Sequence, residues 1–136
     1  MNYFQVNVKY DRQMGEDNPG SVKEIYLVKA ETCSDAERIV LDEIKPFIFG
    51  DCETPKIQKK GYFELFKDFP DCDFYYEAKV EIIMDAEKEY RKCVNILISA
   101  NRIKDALDTL YDRLITYDCE IISIKKTGIV DVLECD

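Results

Sequence analysis

Residues 24–40 read EIYLVKAETCSDAERIV, and within them the apolar pattern changes from that of a strand to that of a helix. Ile25, Tyr26, Leu27 and Val28 form a β-branched and aromatic run suited to a pleated sheet. Ser34 then stands three residues before Glu37, the spacing of a capping box, whose side chains satisfy backbone donors left unpaired at a helix start. Ala36, Ile39, Val40 and Ile44 fall on one helical face. Pro46 disfavours helical geometry at Lys45, so the helix is expected to span about 34–45.

The same strand-to-helix change recurs in VNILISANRIKDALDTL, residues 94–110, with Ile103, Ala106, Leu107, Leu110 and Leu114 as the stripe of a helix at about 102–115. Sliding the chain along itself pairs Phe4 with Phe74, Lys9 with Lys79, Met14 with Met84, Leu27 with Leu97, Ala30 with Ala100 and Ala36 with Ala106, without a gap. A shorter offset after the helices aligns KIQKKGYFELF, residues 56–66, with SIKKTGIVDVL, residues 123–133. This matches Ile57, Lys59 and Gly61 with Ile124, Lys126 and Gly128.

Ahead of each strand-helix passage lies an alternating stretch: Phe4, Val6, Val8 and Tyr10 in one, Phe74, Tyr76, Ala78, Val80 and Ile82 in the other. Period two makes these half-buried strands. Hairpin turns are expected at 14–21 and 85–90, and third strands at 56–66 and 120–133, with Gly61 and Gly128 as bulge positions. The expected fold class is α+β, with tandem duplicated ββαβ units, a mixed sheet and two helices packed on it. Because only KDFPDCD, residues 67–73, joins the copies, one domain of residues 1–136 with a shared core is expected, repeat 1 covering about 1–67 and repeat 2 about 73–136.

Composition narrows the chemistry. The formal charge of −9 opposes broad attraction to nucleic acid, so direct nucleic-acid binding is not expected. No apolar run reaches the roughly 18 residues of a membrane span, and the start MNYFQVNVKYDR lacks the layout of a signal peptide, so no membrane partner and a cytoplasmic location are expected. The six cysteines contain no C-x-x-C pair and there is no histidine, which favours reduced thiols and no metal. Absence of histidine also removes the commonest acid-base group, and no P-loop or G-x-G-x-x-G is present. Pairs such as Glu81 with Asp85 and Asp105 with Asp108 read as solvated charges. The expectation is a protein that is not an enzyme and uses no cofactor.

The start MNYFQVNVKY, the segment EIYLVKAETCSDAERIV and the closing EIISIKKTGIVDVLE resemble the family of domain of unknown function 4494, small proteins of Bacteroidetes and their phages. The similarity spans nearly the whole chain, and YLVKA-x-x-x-S-x-A-E, residues 26–37, is its most specific part. The resemblance implies a phage or prophage setting, hence the host's cytoplasm, and assigns no catalytic residue.

Within an acidic chain the repeated lysines draw notice: Lys56, Lys59 and Lys60 in one copy, Lys125 and Lys126 in the other. Lys59 and Lys126, with Lys60, Lys125, Tyr62 and Tyr75, form the candidate ligand-binding set, suited to an anionic small molecule or nucleotide. A solvated strand face is the competing reading. The aromatic cluster Phe69, Phe74, Tyr75 and Tyr76 reads either as core or, if Tyr75 is exposed, as a stacking platform. The expected function is a phage accessory binding protein that sequesters a host defence-signalling nucleotide. The alternative is an acidic module that docks on a host protein to inhibit or assist a nucleic-acid-processing or defence complex. Uncovered hairpin edges lead to an expected homo-oligomer.

Overall fold

The computed structural model describes residues 2–13, 19–67, 72–85, 87 and 90–134. Most of the two expected hairpin turns, together with Phe69 and Cys135, lies outside the described residues. In chain order the elements are β1 (Asn2–Gln13), β2 (Pro19–Ala30), α1 (Cys33–Ile44), a short 3-10 turn (Lys45–Phe47), β3 (Lys56–Lys60), β4 (Tyr62–Phe66), β5 (Phe74–Asp85), β6 (Tyr90–Ala100), α2 (Ile103–Arg113), β7 (Cys119–Lys126) and β8 (Ile129–Glu134). The class is α+β, with two α-helices and two four-stranded sheets of mixed direction among the described residues.

The third strands do not run through their glycines. Each is interrupted at its glycine, and the part that follows enters the other sheet. One sheet has the order β3-β1-β2-β8 and the other β4-β6-β5-β7. The chain accordingly divides into two compact units, Met1–Gly61 with Ile129–Asp136, and Tyr62–Gly128. A Cβ added at Gly61 would meet nothing within 4 Å, so crowding does not explain that glycine.

In the first unit β1 pairs antiparallel with both β2 and β3, while β8 joins β2 in parallel. Phe4, Val6, Val8 and Tyr10 meet Tyr26, Val28 and Ala30 and the α1 residues Ala36, Val40 and Ile44 in one buried cluster. The helix is capped by Thr32, whose Oγ1 accepts from the Asp35 backbone N–H at 3.1 Å. Ser34 is therefore inside the helix and not its cap. A threonine also satisfies a free backbone donor, so the capping chemistry stands two residues earlier than the S-x-x-E spacing suggests. The helix gives way to the 3-10 turn at Lys45, ahead of Pro46.

The second unit repeats this order. β5 pairs antiparallel with β6 and β7, and β4 joins β6 in parallel. Tyr76, Ala78, Val80 and Ile82 pack with Ile96, Ile98, Ala100, Ala106, Leu110 and Leu114. Of the expected helical stripe, Ile103 departs: it is 48% exposed at the helix start.

Registers give the correspondence between the units residue by residue. Phe4 faces Val28 and Lys59, whereas Tyr76 faces Ile98 and Lys126. Phe4 thus corresponds to Tyr76 and not to Phe74. Alternation cannot detect this slip, because a shift of two residues keeps every side chain on its face. The exchanged strands correspond as well: Glu64, Leu65 and Phe66 face Ile96, Leu97 and Ile98, as Asp131, Val132 and Leu133 face Tyr26, Leu27 and Val28.

Candidate aromatic and cationic cleft

Five of the six residues singled out by the sequence are dispersed over the outer strands β3, β4 and β7, and Tyr75 stands on the inner strand β5. Lys59, exposed, and Lys60, half-buried, stand on β3 in the first unit, while Lys125 and Lys126 stand on β7 in the second. The Lys126 ammonium lies 3.4 Å from the centroid of the Phe74 ring, a cation-π contact. Glu77 joins two others: its carboxylate accepts from the Tyr62 hydroxyl at 2.9 Å and pairs with the Lys125 Nζ at 3.4 Å. Burial, with that hydrogen bond and the charge of Glu77, pushes the Tyr62 phenol well above the ordinary tyrosine range. Tyr75 is only 4% exposed, and its carbonyl accepts from both the N–H and the hydroxyl of Thr127. Its ring does point away from the helix side, as alternation requires, but burial withholds it from stacking on a ligand, which corrects the platform reading at this residue.

A different constellation is concave and accessible. Beyond Gly61 the outer strand β4 carries Phe63 and ends at Phe66, followed by Lys67. Helix α2 ends nearby with Arg113 in its last turn, and the Tyr117 N–H bonds to the Leu114 carbonyl at 3.0 Å, which turns the chain back beneath the helix. Phe63, Phe66, Lys67, Arg113 and Tyr117, together with one carboxylate, Glu64, line a cavity of about 380 Å³. Phe63 and Tyr117 remain 36% and 45% exposed.

The rings of Phe63 and Tyr117 are 6.3 Å apart at 81°, an edge-to-face pair in which both side chains stay partly exposed. Arg113 holds its guanidinium 5.7 Å from the Phe66 centroid. That contact keeps a cation at the mouth. It also offsets the partial negative charge of the helix C-terminus, which works against a bound anion by about 0.3–1 kcal/mol. Aromatic faces beside two cations suit a flat ring bearing a negative group, and the volume lies at the lower end of small-molecule sites.

Sequence reasoning missed this cleft because it sought residues that match between the two halves of the chain. Register places Val130 and Leu133 where Phe63 and Phe66 stand. Likewise, counting along the helices puts Glu43 and Phe47 where Arg113 and Tyr117 stand, and Glu134 takes the place of Lys67. Both cations are carboxylates in the first unit. The available signal was the set of positions at which the two halves differ.

Among the described residues no three His, Cys, Asp or Glu side chains gather as a metal site, and no helix is long and apolar enough to cross a membrane. The five described cysteines form no disulfide, and burial pushes the Cys119 thiol up, away from the ionised form a nucleophile needs.

No curated protein and no solved structure matches the chain. The family model of domain of unknown function DUF4494 matches residues 2–135, nearly the whole sequence. The chain therefore belongs to the DUF4494 family.

Proposed function

We propose that this chain is a binding protein, not an enzyme, for a small aromatic anion of the nucleotide class, held in the cleft between β4 and the end of α2. The supporting observation is the combination there of two partly exposed aromatic rings, Phe63 and Tyr117, with Lys67 and Arg113. The first unit has the same strand order with carboxylates in place of those cations, so the fold does not require this set. Base stacking on an aromatic ring contributes about 1–3 kcal/mol, and a nearby cation favours the phosphate through a contact stronger than a neutral hydrogen bond. Sequestration of a nucleotide needs nothing beyond such binding. A phage-encoded role against host signalling is the biological setting we propose for it.

Calorimetric titration tests the reading by splitting the ligand. Adenosine monophosphate is expected to bind at least about tenfold more tightly than either adenosine or ribose 5-phosphate, since each fragment meets half of the site. Ribose 5-phosphate binding as well as the nucleotide would overturn the stacking argument. A second reading, docking on a partner protein, draws on Tyr111 and Ile115, which are 66% and 80% exposed on the neighbouring helix end. It predicts that Ile115→Ser abolishes capture of a partner while leaving nucleotide affinity unchanged.

A further inference from the structure

On the first unit, a concavity of about 410 Å³ is lined by three lysines, Lys9, Lys23 and Lys56, with Asn7 and Thr54, and by two carboxylates, Glu24 and Glu53. Three ammonium groups gather there on a chain whose formal charge is −9. Strand register dictates the gathering. Lys9 stands directly opposite Lys23 across β1 and β2, and Lys56 opposite Asn7 across β1 and β3. Since these are odd-numbered positions of β1 and β2, they occupy the sheet face away from α1.

Like charges directly opposite one another on a sheet are destabilising. The local counter-charge is modest: Lys9 Nζ lies 3.8 Å from Glu53 Oε1, and both side chains are largely solvated. Glu24 also borders the concavity, but its carboxylate accepts from the hydroxyls of Tyr10 at 2.5 Å and Tyr26 at 3.3 Å. No ion pair engages Lys23 or Lys56 among the described residues.

The wall beside Lys9 is built deliberately. Gly50 adopts φ 124°, a left-handed conformation, and a Cβ there would lie 3.1 Å from Asp11 Oδ2. The turn lets Asp51 and Glu53 bond back to β1, with Asp11 N–H to the Asp51 carbonyl at 2.8 Å and Glu53 N–H to the Lys9 carbonyl at 2.9 Å. Glu53 and Thr54 are thereby fixed beside the lysines.

The second unit supplies the internal comparison. Where Lys9 faces Lys23, Glu81 faces Cys93, and where Asn7 faces Lys56, Lys79 faces Ser123. Glu81 there forms an ion pair with Arg91 at 2.9 Å. A sheet of this order and register thus forms without the three lysines.

We infer that the Lys9, Lys23 and Lys56 concavity is a second binding site, for an oligophosphate. Three ammonium groups match a ligand with three or more closely spaced negative charges, and Asn7 and Thr54 provide further donors. Among the described residues the lining holds no aromatic ring for a base to stack on, and the site differs in chemistry from the cleft of the second unit. Free oligophosphate and the phosphate chain of a larger metabolite share this chemistry.

Inorganic tripolyphosphate is the probe, titrated calorimetrically into the intact chain at low and high salt. Affinity is expected to fall with salt, and Lys23→Gln with Lys56→Gln to weaken binding about tenfold or more. Lys23→Arg with Lys56→Arg is expected to restore most of it, which separates charge from folding. Adenosine triphosphate matching tripolyphosphate in its sensitivity to the double Gln variant would identify the phosphate chain as the recognised part; adenosine triphosphate that is insensitive would restrict the site to free oligophosphate. Tripolyphosphate binding that is absent, or unchanged in the folded double Gln variant, would overturn the proposal. Adenosine monophosphate affinity for the other cleft should not respond to these changes, so failure of either site is read separately.

Discussion

The two units build one strand order in one register from different surfaces, and the contrast separates what the fold needs from what it merely carries. The needed part is apolar and shared. Phe4, Val6 and Val8 have buried counterparts in Tyr76, Ala78 and Val80, and Ala36, Val40 and Ile44 in Ala106, Leu110 and Leu114. Polar positions diverge even where buried: Tyr10 and Tyr26 bond to Glu24 in the first unit, while Ile82, Ile96 and Val94 fill those places in the second. At the surface the divergence reverses charge, with Glu43 and Glu134 against Arg113 and Lys67, and Lys9 against Glu81.

The largest effect should come from breaking what the units share. Leu110→Ala or Ile44→Ala is expected to cost about 2–5 kcal/mol in urea-induced unfolding, since both side chains are fully buried. A cost below about 1 kcal/mol at either position would show that the helix is not packed as described.

A smaller but more specific effect is expected where the units differ. Arg113→Glu, which gives the second unit the residue type of the first, should weaken adenosine monophosphate at least about tenfold, about 1.4 kcal/mol. Exposed Arg113 contributes little to folding, so the unfolding midpoint should barely move. Unaltered nucleotide affinity would remove the cleft from consideration.

The buried phenol-carboxylate cluster of the first unit predicts an alkaline weakness. Burial, then the hydrogen bond to Glu24 and its charge, pushes the Tyr10 phenol from 10.0 up to about 12, and Tyr26 is raised for the same reasons. A raised phenol holds its proton in the folded state after the unfolded chain has released it. Stability is therefore intact below pH 10 and declines as pH rises from about 10 to about 12. Tyr10→Phe should flatten part of that decline. An identical slope in the variant would show that Tyr10 is not its source.

The smallest effect is predicted for Lys59→Gln with Lys126→Gln, within about 0.5 kcal/mol on stability and on nucleotide binding. Lys59 is exposed on an outer strand, and the Lys126 ammonium rests on Phe74. A larger loss of nucleotide affinity would return these lysines to the binding set.

Much of the fold was legible because strand alternation and helical stripes are set by burial. The strand faces, the end of the first helix near Lys45 and the correspondence of Lys59 with Lys126 are all readable in the chain. The exchange of β4 and β8 was not. A strand that stops at a glycine and resumes in another sheet keeps the same local pattern as one that carries a bulge, and the choice between them is made by long-range pairing. The same limit applies to sites. Lys9 and Lys23 are separated by a hairpin and unremarkable in sequence until register sets them face to face. Phe63 and Arg113 meet only through the exchanged strand.

Backbone amide NMR of the labelled chain titrated with adenosine monophosphate tests the central claim most directly, because both units report in one experiment. Shifts are expected at Phe63, Lys67, Arg113 and Tyr117, with their counterparts Val130, Glu134, Glu43 and Phe47 unmoved. Shifts at the counterparts alone, or none in either unit at millimolar nucleotide, would contradict it.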